Sequence, residues 1–162
     1  FDLEDHFPRE ERLTYLGHFS AGVALTDLAV NVETGKVDVR RIVLGQDVGR
    51  VLNPLDFCGQ MEGAALMEVG VALMEEHVPT QTVSFRRYPM PRARDLPEIE
   101  VIPVEIAGCD GPYGAKGIGE MGTGHVRAAI VNAIYDATGV RMRHLPATPQ
   151  RVLEALQRRE DI

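Results

Sequence analysis

The sequence has 162 residues and a formal net charge of −7 at pH 7, and 44% of the residues are hydrophobic while 25% are charged. These values describe one ordinary globular domain with its own core, and they argue against a surface for DNA or RNA, which needs clustered lysine and arginine. No apolar run reaches the roughly 18 residues of a membrane span and no signal peptide is visible, so we expect a cytoplasmic protein.

Two strands joined by a tight turn are predicted near the beginning of the chain. Residues 1–17 are polar and irregular, and we treat them as an unassigned N-terminal arm before a domain of residues 18–162. Residues 18–33 alternate small or apolar with polar side chains, which is typical of a strand. Thr34-Gly35 predicts a hairpin turn, because glycine adopts a positive φ at little cost, and 36–44 predicts the return strand.

A long helix is predicted over residues 54–77, which are rich in Leu, Met and Ala and poor in β-branched residues. Asn53 and the proline after it are positioned to open this helix. Gly59, Gly63 and Gly70 fall within about 40° of one another around it. Tight packing of the glycine face against a sheet is one interpretation, and a ligand or partner backbone lying on that face is the other.

The middle of the chain predicts two further strands around a loop. Residues 78–85 are assigned to a strand, and the proline-containing segment 86–97 to a loop. Residues 98–106 alternate acidic and apolar side chains, which indicates a strand with one wet face. Pro103 within that strand predicts an edge position, because proline cannot donate a hydrogen bond to a neighbouring strand.

Two more helices complete the prediction. The apolar spacing over 126–137 indicates a helix that ends at Gly139, and Thr148 with Pro149 opens a short helix that ends near Gln157. The elements together predict an α+β fold, in which a β-hairpin and a mixed sheet pack with about two long helices plus a short C-terminal helix.

Seven glycines fall between residues 108 and 124, just before the helix over 126–137. Such a loop exposes backbone N–H groups and allows a ligand to come close. It lacks the Walker phosphate motif, because Lys116 is followed by glycine and not by Ser or Thr. The letters GxGxxG occur at 117–122, but no acidic residue on a following parallel strand supports a dinucleotide site.

Few residues could carry chemistry on their own. Glu120 is the carboxylate of the turn Gly114–Glu120, and composition alone favours a helix-start residue that stabilises the helix dipole by a few tenths of a kcal/mol. Cys58 and Cys109 are far apart and fit no metal-binding spacing, so we expect no metal ligand from the protein.

Three motifs occur in order along the chain. They are residues 47–54 (DVGRVLNP) with 59–63 (GQMEG), the turn 114–120 (GAKGIGE), and the tail over 132–149. The first resembles DxGxxxNP…GQxEG and the second GxKGxGE of the molybdenum hydroxylases, the superfamily of xanthine dehydrogenase, aldehyde oxidase and aerobic carbon monoxide dehydrogenase. The tail is similar as well, and the resemblance covers roughly residues 19–156.

The resemblance implies a role for each candidate residue. In that family a pyranopterin cofactor holds molybdenum through its dithiolene, so the protein supplies no thiolate ligand. Glu120 would be the general base of a hydroxylation that uses oxygen from water. Gln60 would hydrogen-bond the cofactor, and Gly117 and Gly119 would allow the turn that aims Glu120. The substrate would be an aldehyde or an N-heterocycle such as a purine.

The resemblance also implies partners. The chain would be the C-terminal part of a molybdopterin-binding large subunit, and its partners would be the remainder of that subunit and modules with FAD and [2Fe-2S]. The cofactor would be molybdopterin itself or its cytosine dinucleotide. The family's upstream cofactor motifs do not occur here, so we expect the isolated chain to be inactive. The alternative is a non-catalytic structural or interaction fragment that retains the fold.

One departure from the family pattern concerns the residues after Glu120. Many relatives have two prolines there, whereas this sequence has Met121 and Gly122. In this respect the sequence resembles the branch that contains carbon monoxide dehydrogenase. The departure affects the inference about the substrate and not the inference that Glu120 is the base.

Overall fold

The structure is a computed structural model that describes residues 19–106 and 111–160, without the side chains of residues 159 and 160. The predicted arm of residues 1–17 and Cys109 lie outside these ranges. Within them, three strands form one sheet and three helices accompany it, which confirms the predicted α+β fold.

The sheet is mixed and has the order β1-β2-β3. Strand β1 (Gly22–Val30) pairs antiparallel with β2 (Val37–Asp47), and β2 pairs in parallel with β3 (Glu98–Val104). The hairpin is therefore confirmed. In the part of the chain that the structure describes, β3 lies at the edge of the sheet, as Pro103 predicts.

The hairpin turn between β1 and β2 depends on Gly35. The side chain of Asn31 accepts hydrogen bonds from the backbone N–H groups of Glu33 and Thr34, both at 3.0 Å. Gly35 follows with a φ of 71°, where a residue with a Cβ atom is strained. A Cβ atom there would also collide with the carbonyl oxygen of Pro149, so the turn packs directly against the start of the last helix.

The three helices are α1 (Pro54–Leu73), α2 (Thr123–Thr138) and α3 (Pro149–Glu160). The first two are the long helices of the prediction and the third is the short one. Gly139 ends α2 with a φ of 69°, which confirms the predicted stop. Helix α1 ends before its predicted end at residue 77, and α3 continues beyond residue 157.

Asn53 fixes the beginning of α1. Its side-chain oxygen accepts hydrogen bonds from the backbone N–H groups of Leu55 at 3.1 Å and Asp56 at 3.4 Å. Pro54 occupies the first helical position, where the missing N–H group costs nothing. The motif letters Asn-Pro therefore have a structural role that is independent of any ligand.

Replacing Asn53 by alanine is expected to lower the free energy of unfolding by about 1 kcal/mol, because the first N–H groups of α1 lose their acceptor. Urea unfolding followed by circular dichroism measures the change. Asn53→Ser retains a side-chain oxygen and is the matched control, with an expected effect of only a few tenths of a kcal/mol. Equal losses in the two variants would contradict the capping role.

The core lies between the sheet and the two long helices. Helix α1 contributes Met61 and Val69, while α2 contributes Ile130 and Ile134, all of them buried. Glu68 of α1 is also buried, and its carboxylate accepts hydrogen bonds from the guanidinium group of Arg127 on α2 at 2.6 and 3.1 Å. Apolar packing and one partly buried ion pair therefore join α1 to α2, the helix that follows the glycine-rich segment.

The glycine face of α1 is not packed against the sheet. Gly70 is buried, and a Cβ atom there would lie 2.7 Å from a ring carbon of Pro91 in the loop before β3. Apart from the chain neighbours and the backbone of α1 itself, no described atom lies within 4 Å of the Cβ positions of Gly59 and Gly63. The interpretation of packing against a sheet is therefore wrong, because α1 turns its opposite side, with Met61, toward the core. A ligand or partner on the open part of the face stays a prediction.

The predicted strand over residues 78–85 is wrong, because this segment forms consecutive turns. The carbonyl oxygen of Val78 accepts hydrogen bonds from the N–H groups of Gln81 and Thr82, at 3.1 and 3.0 Å. Thr80 has a φ of 70°. Backbone groups that bond within a turn are not available to a neighbouring strand, so local hydrogen bonding overrides the β-branched composition.

Candidate functional site

Two of the three sequence motifs meet at the end of the sheet. The N–H group of Lys116 donates a hydrogen bond of 2.9 Å to the carbonyl oxygen of Val48, which joins the turn Gly114–Glu120 to the loop after β2. A cavity of about 240 Å³ lies between these segments. It is lined by Val48, Arg50, Val51, Leu52, Asn53, Asp56, Phe57, Ala115, Lys116 and Ile118. Segments that are about 60 residues apart therefore form one local structure.

An ion pair between Asp47 and Lys116 connects the two motifs. The Nζ atom of Lys116 lies 2.5 Å from Oδ2 of Asp47, and each side chain is only 7% exposed. Nζ also donates to the carbonyl oxygen of Phe19 at 2.8 Å. The N–H group of Gly49 donates to the other carboxylate oxygen of Asp47 at 3.0 Å. The ammonium group of Lys116 therefore links the turn to two other segments, the residues before β1 and the end of β2.

The charge state of Asp47 follows from these contacts. The hydrogen bond from Lys116, and after it the one from the Gly49 N–H group, hold the pKa of Asp47 below its ordinary value of 3.8. Burial acts in the opposite direction, and the charge of Lys116 adds a smaller lowering. The carboxylate is therefore ionised at neutral pH and paired with a cation.

This pairing predicts a pH-dependent difference in stability between the wild-type chain and Asp47→Asn. Because the folded pKa is lowered, the ionised carboxylate stabilises the fold above pH 3.8, and this stabilisation is lost as the pH falls through the folded pKa. Urea-unfolding midpoints of both proteins, measured from neutral to acidic pH, are expected to converge as the pH falls. Asp136→Asn, which replaces an exposed carboxylate of α2, is the control. A difference in unfolding midpoint between wild type and Asp47→Asn that does not change with pH would contradict the lowered pKa of Asp47.

Glu120 lies just before α2 with its side chain exposed. Its carbonyl oxygen accepts hydrogen bonds from the backbone N–H group of Thr123 at 3.3 Å and from the hydroxyl group at 2.8 Å. No side chain of the described residues hydrogen-bonds the Glu120 carboxylate. Ile118 and Met121, on either side of it, are partly buried against the core. The backbone is thus held on both sides while the carboxylate projects outward.

Among the described glycines of the glycine-rich segment, Gly122, two residues after Glu120, is the one that packs closely against another element. A Cβ atom on Gly122 would lie 2.7 Å from the Cβ atom of Ala64 on α1 and 3.4 Å from the sulfur atom of Met61. By contrast, apart from the chain neighbours, no described atom lies within 4 Å of the Cβ positions of Gly117 and Gly119. Space beside the turn is therefore open at 117 and 119, and close packing occurs at 122.

Gln60 is exposed on α1 next to Met61, the residue that lies beside Gly122. The contact between α1 and the residues after the turn therefore places Gln60 and Glu120 on neighbouring segments. Among the predicted site residues, the structure thus brings the helix of Gln60 next to the segment that carries Gly119 and Glu120.

Sequence reasoning missed Asp47, Lys116 and Gly122 as residues of the site. A signal for the first two was present, since each is a fixed letter of a motif. Among residues 19–106 and 111–160, no group of three or more His, Cys, Asp or Glu side chains is arranged to hold a metal ion. None of the helices in those ranges is long and apolar enough to cross a membrane.

Comparison with known proteins identifies the family to which the chain belongs. The family model of the molybdopterin cofactor-binding domain matches residues 4–97. The aldehyde oxidoreductase molybdenum-binding subunit PaoC of Escherichia coli is 37% identical in an alignment of 153 positions that covers 90% of this chain and 20% of that protein. The putative xanthine dehydrogenase molybdenum-binding subunit XdhA of Escherichia coli is 39% identical in an alignment of 139 positions that covers 82% of this chain and 18% of that protein.

A solved structure agrees with this result. The aldehyde oxidoreductase from Desulfovibrio desulfuricans superposes with a TM-score of 0.83 at 40% identity, over 86% of this chain and 16% of that protein. The chain therefore belongs to the molybdopterin cofactor-binding domain family, and it resembles part of the molybdenum hydroxylase large subunit. It spans about a fifth of the length of the curated relatives.

Proposed function

We propose that this chain is part of a molybdenum hydroxylase that hydroxylates an aldehyde or a purine-like N-heterocycle with oxygen from water. The observation that supports it is the meeting of the two motifs at the Asp47–Lys116 ion pair, which leaves the Glu120 carboxylate exposed and without a partner among the described side chains. A general base needs such a carboxylate, which is free to accept a proton from a reacting group nearby.

The described residues fit the molybdenum pyranopterin cofactor. Its dithiolene binds the metal, so the protein has to supply hydrogen bonds and open space instead of metal ligands. Gln60 presents an exposed amide, and Gly117 and Gly119 have open space around them. When bound, the cofactor supplies the two-electron redox chemistry. The residues of this chain would hydrogen-bond it, leave room for it and hold the base that takes up a proton.

The remainder of the molybdopterin-binding subunit is the proposed partner. Val23 and Leu25 of β1 are exposed, and so are Ile102 and Val104 of β3. Val23 and Ile102 both pair with Gly45 of β2, so these side chains share a face of the sheet. An exposed apolar face of this kind is typical of a surface that another part of an assembly covers. Modules with FAD and [2Fe-2S] would then accept the electrons, in a cytoplasmic complex.

The proposal is tested on the assembled complex that contains this chain. Metal analysis is expected to give about one molybdenum per large subunit, and turnover in ¹⁸O-labelled water is expected to place one labelled oxygen in the product. Turnover in unlabelled water under labelled dioxygen is the control and should leave the product unlabelled. A complete complex without molybdenum would support the alternative of a non-catalytic fragment, and label from dioxygen would contradict the reaction.

A further inference from the structure

Two contacts fix the backbone on either side of Glu120. Four residues before it, Lys116 is bound through its side chain to Asp47 and through its N–H group to Val48. Two residues after it, Gly122 packs against α1. The side chain of Glu120 has no hydrogen-bond partner among the described side chains. Its position therefore depends on how the backbone is held, by these two contacts and by the packing of Ile118 and Met121 against the core.

Lys116 joins three separate segments. Its Nζ atom binds the carbonyl oxygen of Phe19 before β1 and the carboxylate of Asp47 at the end of β2, and its own backbone belongs to the turn. Asp47 is itself held in place, because its N–H group donates to the carbonyl oxygen of Ala21 at 2.9 Å and its other carboxylate oxygen accepts from Gly49. The acceptor side of the pair is therefore held by contacts that do not involve the turn.

We propose that Lys116 is a positioning residue for the base, and that it acts through its ion pair with Asp47. This inference rests on the proposed role of Glu120. Lys116 does not touch the substrate. It holds the first half of the turn at the end of the sheet, which restricts the positions that the Glu120 carboxylate can take. Without the ammonium group, the Asp47 carboxylate, whose side chain is only 7% exposed, has no cation beside it, which is costly. The first half of the turn then keeps only the backbone hydrogen bond from residue 116 to Val48.

The inference predicts a loss in kcat without a matching change in KM. In the assembled enzyme, Lys116→Ala is expected to lower kcat by about tenfold or more, because an error of about 1 Å in the position of a catalytic group can cost about 100-fold in rate. The KM and the molybdenum content should stay within about twofold of wild type, since neither binding nor metal is altered. Lys36→Ala, at the exposed hairpin turn, is the matched control and should leave kcat unchanged.

Chemical rescue separates positioning from a general structural defect. The n-propylammonium ion replaces the atoms that Lys116→Ala removes, and it is expected to restore part of kcat in a saturable way. Propan-1-ol has a similar shape without the charge and should restore nothing. Hydrogen exchange of the backbone N–H group of residue 116, measured without turnover, should be faster in the variant than in wild type and slower again with the amine.

The outcomes distinguish the two proposals. Unchanged kcat and exchange in Lys116→Ala, with Glu120→Gln inactive, would overturn the positioning role and leave the base intact. Normal turnover of Glu120→Gln would overturn the base itself. If Lys116→Ala does not assemble, Asp47→Asn replaces it, because this variant retains an oxygen acceptor for Gly49. A lower kcat at unchanged KM is then expected, and an unchanged kcat would overturn the inference.

Discussion

Glu120→Gln is expected to lower kcat of the assembled enzyme by at least about 100-fold, with the molybdenum content unchanged. A positioned general base contributes about 10² to 10⁴ in rate, and glutamine keeps the size and hydrogen-bonding reach of the side chain but cannot take up the proton. The side chain is exposed and has no partner among the described side chains, so the substitution should not disturb the fold. Steady-state kinetics and metal analysis on the same preparation measure both quantities.

Glu33→Gln is the control for this experiment. Glu33 is an exposed carboxylate in the hairpin turn, and its replacement should change kcat by less than twofold. Turnover of Glu120→Gln within about threefold of wild type would contradict the role of a base. A loss of molybdenum together with activity would instead indicate that Glu120 holds the cofactor site together, which is a different role from proton transfer.

The parts of the fold that the sequence predicted have local causes. The hairpin follows from Gly35, whose positive φ favours glycine, and from the alternating patterns on either side. The start of α1 follows from Asn53 and Pro54, and the end of α2 from Gly139. Each of these signals acts within a few residues along the chain, so each is visible without any knowledge of the tertiary structure.

The features that the sequence predicted wrongly or did not reveal depend on contacts between distant residues or on competing local hydrogen bonds. Asp47 and Lys116 are 69 residues apart, and no local pattern says that one carboxylate among many pairs with one lysine. The turns over 78–85 override the β-branched composition by local hydrogen bonds. The motifs did identify Glu120 as a candidate, but that its backbone is held could be seen only from tertiary contacts, namely the bonds of Lys116 and the packing of Gly122.

Gly122→Ala is expected to reduce both stability and turnover. The backbone at this position has φ −72° and ψ −10°, which any residue adopts, so the substitution introduces no conformational strain. The added Cβ atom would lie 2.7 Å from the Cβ atom of Ala64, and either α1 or the turn has to move. Overpacking of this kind costs about 1–3 kcal/mol. Because Glu120 is two residues away, a shift of the turn should lower kcat by about tenfold or more.

Gly124→Ala provides the matched control, because no described atom lies within 4 Å of its Cβ position and it stands in the first turn of α2. It should be neutral, or stabilise the chain by about 0.5 kcal/mol through helix propensity. Ala64→Gly removes the atom that Gly122→Ala meets, so the double variant should recover kcat and show a coupling of about 1 kcal/mol in unfolding. Strict additivity would show that the contact between α1 and residue 122 does not hold the turn. A kcat unchanged in Gly122→Ala would show that the position of Glu120 is set from the Lys116 side alone.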